Sequence, residues 1–186
     1  QTNRNFKSMM NIDEIKKYYP FNLTGFDRSI LREYLQYKIL DIIFKSDFGA
    51  KFSFLGGTAI KICYGSSRFS EDLDFDNFSL TEEDFIELSE IIKKELALEG
   101  YEIEVRNVFK GAFRCFVKIP DILRTNKLSV ADSEKILIQV DTTPHDFNYQ
   151  PNNFLLQKFD IFRNIKITPP DILLSMKVAA IFGRKR

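Results

Sequence analysis

The 186-residue sequence contains no tryptophan, a single histidine and two cysteines. With His145 alone, any serine–histidine relay or histidine-ligated metal would have to run through one residue. Its place between Pro144 and Asp146 reads as a surface turn. Cys63 and Cys115 lie far apart and belong to no CxxC pattern, so they read as reduced, buried thiols of a cytoplasmic protein. No apolar run reaches the ~18 residues of a membrane span. No signal-peptide pattern opens the chain either, so no membrane is expected among its partners. An excess of either charge is missing too. Twenty-seven basic residues against 26 acidic ones leave +1, so bulk charge favours neither nucleic acid nor a lipid surface. Any basic patch must be local.

What is present is core-forming material, with 44% hydrophobic residues, Phe 19 and Tyr 7, enough for one Phe-rich domain or slightly more. With Asp27 as N-cap, Ile30, Leu31, Leu35, Ile39, Ile42 and Ile43 predict a helix over 27–46. A strand over 52–55 should end in Gly56-Gly57, a short helix should begin near Thr58, and a strand should cover 73–75. Thr81 and Asp84 resemble a capping box for a helix that Gly100 closes. Alternation then predicts strands over 101–105, 113–119 and 135–140, the last ending at Asp141. Pro169-Pro170 precedes a final helix from about Asp171. This order predicts an α/β (α+β) fold with a mixed sheet flanked by helices. It divides the chain into a segment 1–26, a domain 27–168 and the start of a helical part, 169–186. The chain is expected to be a piece of a longer protein.

The chemistry concentrates in two stretches, Phe54-Leu-Gly-Gly-Thr-Ala-Ile60 and Arg68-Phe-Ser-Glu-Asp-Leu-Asp-Phe75. Side chains alternate along a strand, so Asp72 and Asp74 share a face ~7 Å apart while Leu73 and Phe75 turn to the core. Two such carboxylates can bracket hard cations such as Mg²⁺, and without a cation they would repel. Upstream, Gly56 and Gly57 let the backbone approach a ligand, and the following helix N-terminus with the Thr58 hydroxyl makes a phosphate seat. It is not a P-loop, because GxxxxGK[ST] is absent. Asp141 is a third carboxylate, sharing a strand face with Gln139 and Leu137, although it could simply cap the Thr-Thr-Pro turn after it. A lone DxD is more often a solvated turn than a catalytic pair. The weight lies on the ordered set of strand, Gly-Gly-Thr, helix, Arg-x-Ser-x-Asp-x-Asp and a later strand with an aspartate.

Gly56-Gly57-Thr58-Ala59 with Arg68-Phe-Ser-Glu-Asp-Leu-Asp-Phe75 resembles the AbiEii-type nucleotidyltransferase toxins of the DNA polymerase β-like superfamily, over roughly residues 52–186. The resemblance implies a nucleotidyltransferase-like fold, Gly57 and Thr58 at a triphosphate, and Asp72 and Asp74 as ligands of Mg²⁺ or Mn²⁺. Asp141 would be the third carboxylate, helping to bind metal and to activate the attacking hydroxyl. The family's later helix carries a lysine, which Lys177 matches. Lys177 also sits among Leu173, Leu174, Ala180 and Ile181 at helical spacing, where a cation must snorkel or meet an anion. Arg184 lies on the same helical face and could add to the nucleotide site. Arg68 and Ser70 either orient their loop or contact nucleotide. The closing Gly-Arg-Lys-Arg either touches RNA phosphates or is a solvated helix end.

The activity implied is transfer of a nucleoside monophosphate from a nucleoside triphosphate to an acceptor hydroxyl, with Asp72, Asp74 and Asp141 holding two Mg²⁺ ions. By resemblance the acceptor is RNA or tRNA, and the partner is a cognate antitoxin of a type IV or abortive-infection system. Two rivals stand beside it. One is a nucleotidyltransferase acting on a small molecule or a protein; the other is a catalytically silent nucleotide-binding module.

Overall fold

Helix α2 (Asp27–Lys45) is the element around which the chain packs. The computed structural model describes residues 10–131, 134–144 and 148–183; His145 and Arg184 lie outside them. The apolar spacing buries Ile30, Leu31, Leu35, Ile39, Ile42 and Ile43 as the periodicity requires. Asp27 is the first helical residue rather than the N-cap, which falls on Phe26. There it sits favourably in the first turn and pairs with Lys16 at 2.7 Å. Glu33, Gln36 and Lys38 are also buried, because the helix is enclosed on more than one side by α1 (Ile12–Lys16) and α4 (Glu82–Leu98) as well as by the sheet. Buried charge demands partners. Glu33 takes Lys158 at 2.7 Å and the Tyr19 hydroxyl at 2.8 Å, and Lys38 reaches Glu99 and Asp160, each at 3.0 Å.

The sheet has seven strands in the order β3-β4-β5-β2-β1-β7-β6. They are β1 (Phe52–Leu55), β2 (Leu73–Asn77), β3 (Glu104–Phe109), β4 (Phe113–Ile119), β5 (Ile136–Pro144), β6 (Asn152–Lys158) and β7 (Ile161–Ile167). β2 runs parallel to β5 and β1 parallel to β7, while the other neighbours are antiparallel, so the sheet is mixed as expected. Helices α2 and α4 cover one face. Phe85 of α4 meets Phe109 and Phe113 at centroid distances of 6.1 and 5.7 Å, and Leu73, Phe75, Val117, Ile138 and Val140 are buried beneath the helices. The Thr81–Asp84 capping box closes with its aspartate in place of the usual glutamate.

Several boundaries differ from expectation. Helix α3 (Gly56–Tyr64) begins two residues before Thr58, directly at the end of β1. β3 starts at Glu104 rather than residue 101, because its ladder with β4 begins at the Glu104–Lys118 pair. β5 continues past Asp141 to Pro144, since residues 140–144 pair along β2. The β6–β7 hairpin, α1 and the short α5 (Ile122–Thr125) carry no sequence expectation. After β7, the Thr168 amide still reaches the Phe54 carbonyl at 2.9 Å. Pro170 then opens α6 (Pro170–Gly183), where a missing N–H costs nothing.

Candidate functional site

Parallel pairing of β2 with β5 puts Asp74 in register with Asp141. Neighbouring strands lie ~4.8 Å apart and in-register side chains share a face, so two carboxylates stand side by side on the side of the sheet away from Leu73 and Phe75. Asp72, two residues before Asp74, precedes the strand and is exposed. Burial first, then repulsion from Asp141 and Asp72, pushes the Asp74 carboxyl up to about 6, against the opposing pull of Lys177. Asp72 is also raised, by partial desolvation first and then by Asp141 and Glu71, against the pull of Arg32. Asp141 Oδ2 accepts from Gln139 Nε2 at 2.7 Å and faces Arg114 Nε at 3.6 Å. Its Oδ1 is buried with no hydrogen-bond partner among the described residues.

The β1–α3 turn brings the phosphate-binding geometry against this wall. Gly56 has φ +83°, and a Cβ there would collide with the Asp74 carboxylate, so glycine is required twice over. A Cβ on Gly57 would stand 2.9 Å from Ser70 Oγ. The α3 N-terminus has no side-chain cap, which leaves its first N–H groups available to an anion. The Thr58 hydroxyl does not face that space. It donates to the Asp72 carbonyl and the residue is buried, so the expected phosphate-facing hydroxyl is corrected to one that holds the aspartate arm. What Thr58 can offer a phosphate is its backbone N–H.

Gln36 escaped the sequence reading. It is 1% exposed, and its Nε2 donates both protons, to the carbonyls of Ser70 (3.1 Å) and Glu71 (2.9 Å). With Thr58 on Asp72, three consecutive carbonyls leading into β2 are clamped by side chains of α2 and α3. Arg32, one turn before Gln36, adds a 2.8 Å pair to Glu71. The signal was an amide placed beside the apolar stripe of α2, which has no reason to be buried unless something needs its donors. The same loop is pinned by Phe69, whose ring meets Phe26 and Tyr19 at 6.0 and 6.4 Å beneath the Lys61 ammonium at 4.6 Å.

A cleft of about 410 Å³ opens beside the wall, lined by Gly57, Ile60, Ser66, Arg68, Ser70 and Lys177. Gly57, Arg68, Ser70 and Lys177, separated by up to 120 positions in the chain, therefore meet in one cleft, from which Lys177 acts electrostatically on Asp74. The apolar stripe expected around Lys177 is not packed. Leu173 is buried, but Leu174 is 66% and Ile181 74% exposed, because α6 touches the body through its first turns. Lys177 is itself exposed.

Among the described residues no three or more His, Cys, Asp or Glu side chains already converge as a closed metal cage. The donor set nevertheless fits a hard divalent cation. It is made of carboxylates, it includes an orphaned buried oxygen on Asp141, and it holds Asp74 at a charge cost that a cation would relieve. Mg²⁺ keeps several waters and needs few protein ligands, so Asp72, Asp74 and Asp141 need not form a full cage.

A family model described as nucleotidyl transferase AbiEii toxin, type IV toxin–antitoxin system, matches residues 38–186. A search of curated proteins finds no match. Among solved structures, MenT4, a nucleotidyltransferase toxin from Mycobacterium tuberculosis H37Rv, is similar with TM-score 0.61 and 16% identity, over 92% of this chain and 59% of that one. JHP933 from Helicobacter pylori is similar with TM-score 0.55 and 18% identity, over 82% of this chain and 57% of that one. At such identities the likeness concerns the fold. The chain spans less than two thirds of the length of either structure.

Proposed function

The chain belongs to the AbiEii family of nucleotidyltransferase toxins of type IV toxin–antitoxin systems, and we propose that it carries the triphosphate and metal half of a nucleotidyltransferase. The reaction moves a nucleoside monophosphate from a nucleoside triphosphate to an acceptor hydroxyl. The acceptor is RNA, tRNA in particular, and the cellular partner is a cognate antitoxin. The observation that carries this reading is the in-register Asp74–Asp141 pair beside a cleft lined by Gly57, Arg68 and Lys177. Acid on one side and helix N–H groups with two cations on the other match a triphosphate approached by a hydroxyl.

In this mechanism the triphosphate lies along the start of α3, where the N–H groups of Gly57 and Thr58 and the charges of Arg68 and Lys177 take up its negative charge. Asp72, Asp74 and Asp141 would hold Mg²⁺ or Mn²⁺, which supplies charge against the phosphate oxygens and lowers the pKa of the attacking hydroxyl. Asp141, level with Asp74 on the wall, accepts the hydroxyl proton through its carboxylate. A bond forms from the acceptor oxygen to the α-phosphorus as the bond from that phosphorus to the bridging oxygen of the leaving pyrophosphate breaks. Lys177, on the cleft wall, holds the outer phosphate oxygens and so serves binding of the triphosphate. Positioning and electrostatics carry such a transfer.

The test is incubation with each labelled triphosphate, Mg²⁺ and total RNA, beside Asp72→Ala. Label on RNA that vanishes in the variant is the expected result. Label on protein alone would assign a protein acceptor, and Mg²⁺-dependent nucleotide binding without transfer would assign a silent nucleotide-binding module. Melting gives a second readout. The folded-state pKa of Asp74 is raised from 3.8 to about 6, so its protonated form stabilises the fold below pH 4 and that stability is lost as pH rises through 6. The loss is at most roughly 3 kcal/mol. Metal-free Asp74→Asn should therefore melt higher than wild type at pH 7.5, and Mg²⁺ should stabilise wild type alone.

A further inference from the structure

We infer that the face of β3, β4 and β5 beside Asp141, exposed among the described residues, is the platform on which a single-stranded nucleic-acid acceptor lies. This rests on the nucleotidyltransferase reading and locates its second substrate. Register defines the face. Asp141 stands opposite Arg114, Gln139 opposite Phe116 and Leu137 opposite Lys118, while Arg106 on β3 stands opposite Phe116. Directly paired residues share a side of the sheet, so these seven residues form one surface continuous with the carboxylate wall. The helices α2 and α4 pack on the opposite side, where Phe109 and Phe113 meet Phe85, and Asn107 hydrogen-bonds Ser89 at 2.8 Å.

The composition of the surface selects its occupant. The chain as a whole carries +1, and this face gathers Arg106, Arg114 and Lys118 against two acids, Asp141, 3.6 Å from Arg114, and Glu104, opposite Lys118 at 4.0 Å. Arg106 is exposed, Arg114 is 40% exposed, and Leu137 is 40% exposed. Phe116 carries the Arg106 guanidinium at 5.7 Å from its ring centroid, which leaves a flat aromatic and cationic patch in the open. Cations for phosphates and a ring for a base are the two elements of sequence-tolerant single-strand binding. Arg114 and Lys118, four residues apart on one strand, stand ~13 Å apart, so the acceptor contributes several nucleotides. Its terminal hydroxyl then reaches Asp141, the group placed to take its proton, from the β4 side, while the triphosphate enters from the α3 side. A protein partner would find little apolar area beyond Leu137 and parts of Val108 and Phe116.

The experiment measures fluorescence anisotropy of a labelled single-stranded RNA of roughly 12 nucleotides, across a salt series. The proteins are wild type, Arg106→Ala/Lys118→Ala and Phe116→Leu, with Mg²⁺-dependent triphosphate binding measured in parallel. The double variant should weaken RNA binding about 10-fold and lower the slope of log affinity against log salt by about 1.4. Phe116→Leu, which keeps apolar volume but loses the ring, should weaken binding about 5-fold without changing the slope. Triphosphate binding should stay within about twofold in both, as neither lies in the cleft. RNA affinity unchanged in both variants, or wild type that binds triphosphate and labels a protein without binding RNA, would overturn the platform. Wild type that binds RNA through Arg106 and Lys118 yet binds no triphosphate would support the surface and sink the transferase reading instead.

Discussion

The carboxylate wall and the cation arm of the site are held in opposite ways. Asp74 and Asp141 sit on adjacent central strands, with buried neighbours on either side in the chain and Gly56 pressed against one of them. Lys177 projects from a helix anchored by Leu173, while Leu174, Ile181 and Phe182 are 66%, 74% and 85% exposed. The wall is preorganised by the sheet before any ligand arrives. The arm is placed by one helix whose outer face is bare. Perturbing the first should cost chemistry, and perturbing the second should cost binding.

The largest effect should come from Gly56→Ala. Its Cβ meets the Asp74 carboxylate at a backbone φ of +83°, so the wall must shift. Transfer activity should fall roughly 100-fold from misplacement. Stability should fall by about 1–3 kcal/mol from strain. A rate assay with a denaturant melt checks both, and normal activity would mean the wall is softer than the register implies. Gln36→Leu should act on the wall from behind. Leaving the Ser70 and Glu71 carbonyls unpaired should cost about 1–3 kcal/mol. Freeing the Asp72 arm should raise the Mg²⁺ concentration for half-maximal activity about 10-fold. Gln36→Glu puts a carboxylate against two carbonyls, so an Mg²⁺ requirement no worse than the leucine variant's would count against the clamp. Lys177→Met should be the mildest, raising KM for the triphosphate about 5-fold at an exposed, screened position with kcat and melting temperature little changed. A loss confined to kcat would place Lys177 with the wall and erase the contrast.

The legible parts of the fold were those where one local pattern decides one element. The apolar spacing of α2 and α4 and the alternation of Phe113, Cys115, Val117 and Ile119 each name a buried face without knowing its partner. The β6–β7 hairpin was missed because its turn, Phe159-Asp160, has none of the usual Gly or Asn, although Phe159 adopts φ +58°. That conformation is held from outside, by Phe159 packing on Tyr18, Tyr34 and Tyr37 with centroids 5.0, 5.0 and 5.3 Å away. Ile161, Ile165 and Ile167 did carry an alternation that could have found β7. In the site, spacing showed that Asp72 and Asp74 belong together. No spacing could show that Thr58 spends its hydroxyl on the Asp72 carbonyl, or that Gln36, 34 residues upstream of Ser70, holds the loop.

The sequence by itself determined that this chain carries paired carboxylates after a glycine turn, because strand alternation and helix N-termini are local consequences of backbone geometry. Tertiary structure alone decided that Asp141 stands level with Asp74, that Lys177 reaches the same cleft, and that the basic face of β3–β5 adjoins them. Strand order and register arise from the burial of whole faces against α2 and α4, a balance summed over many distant residues.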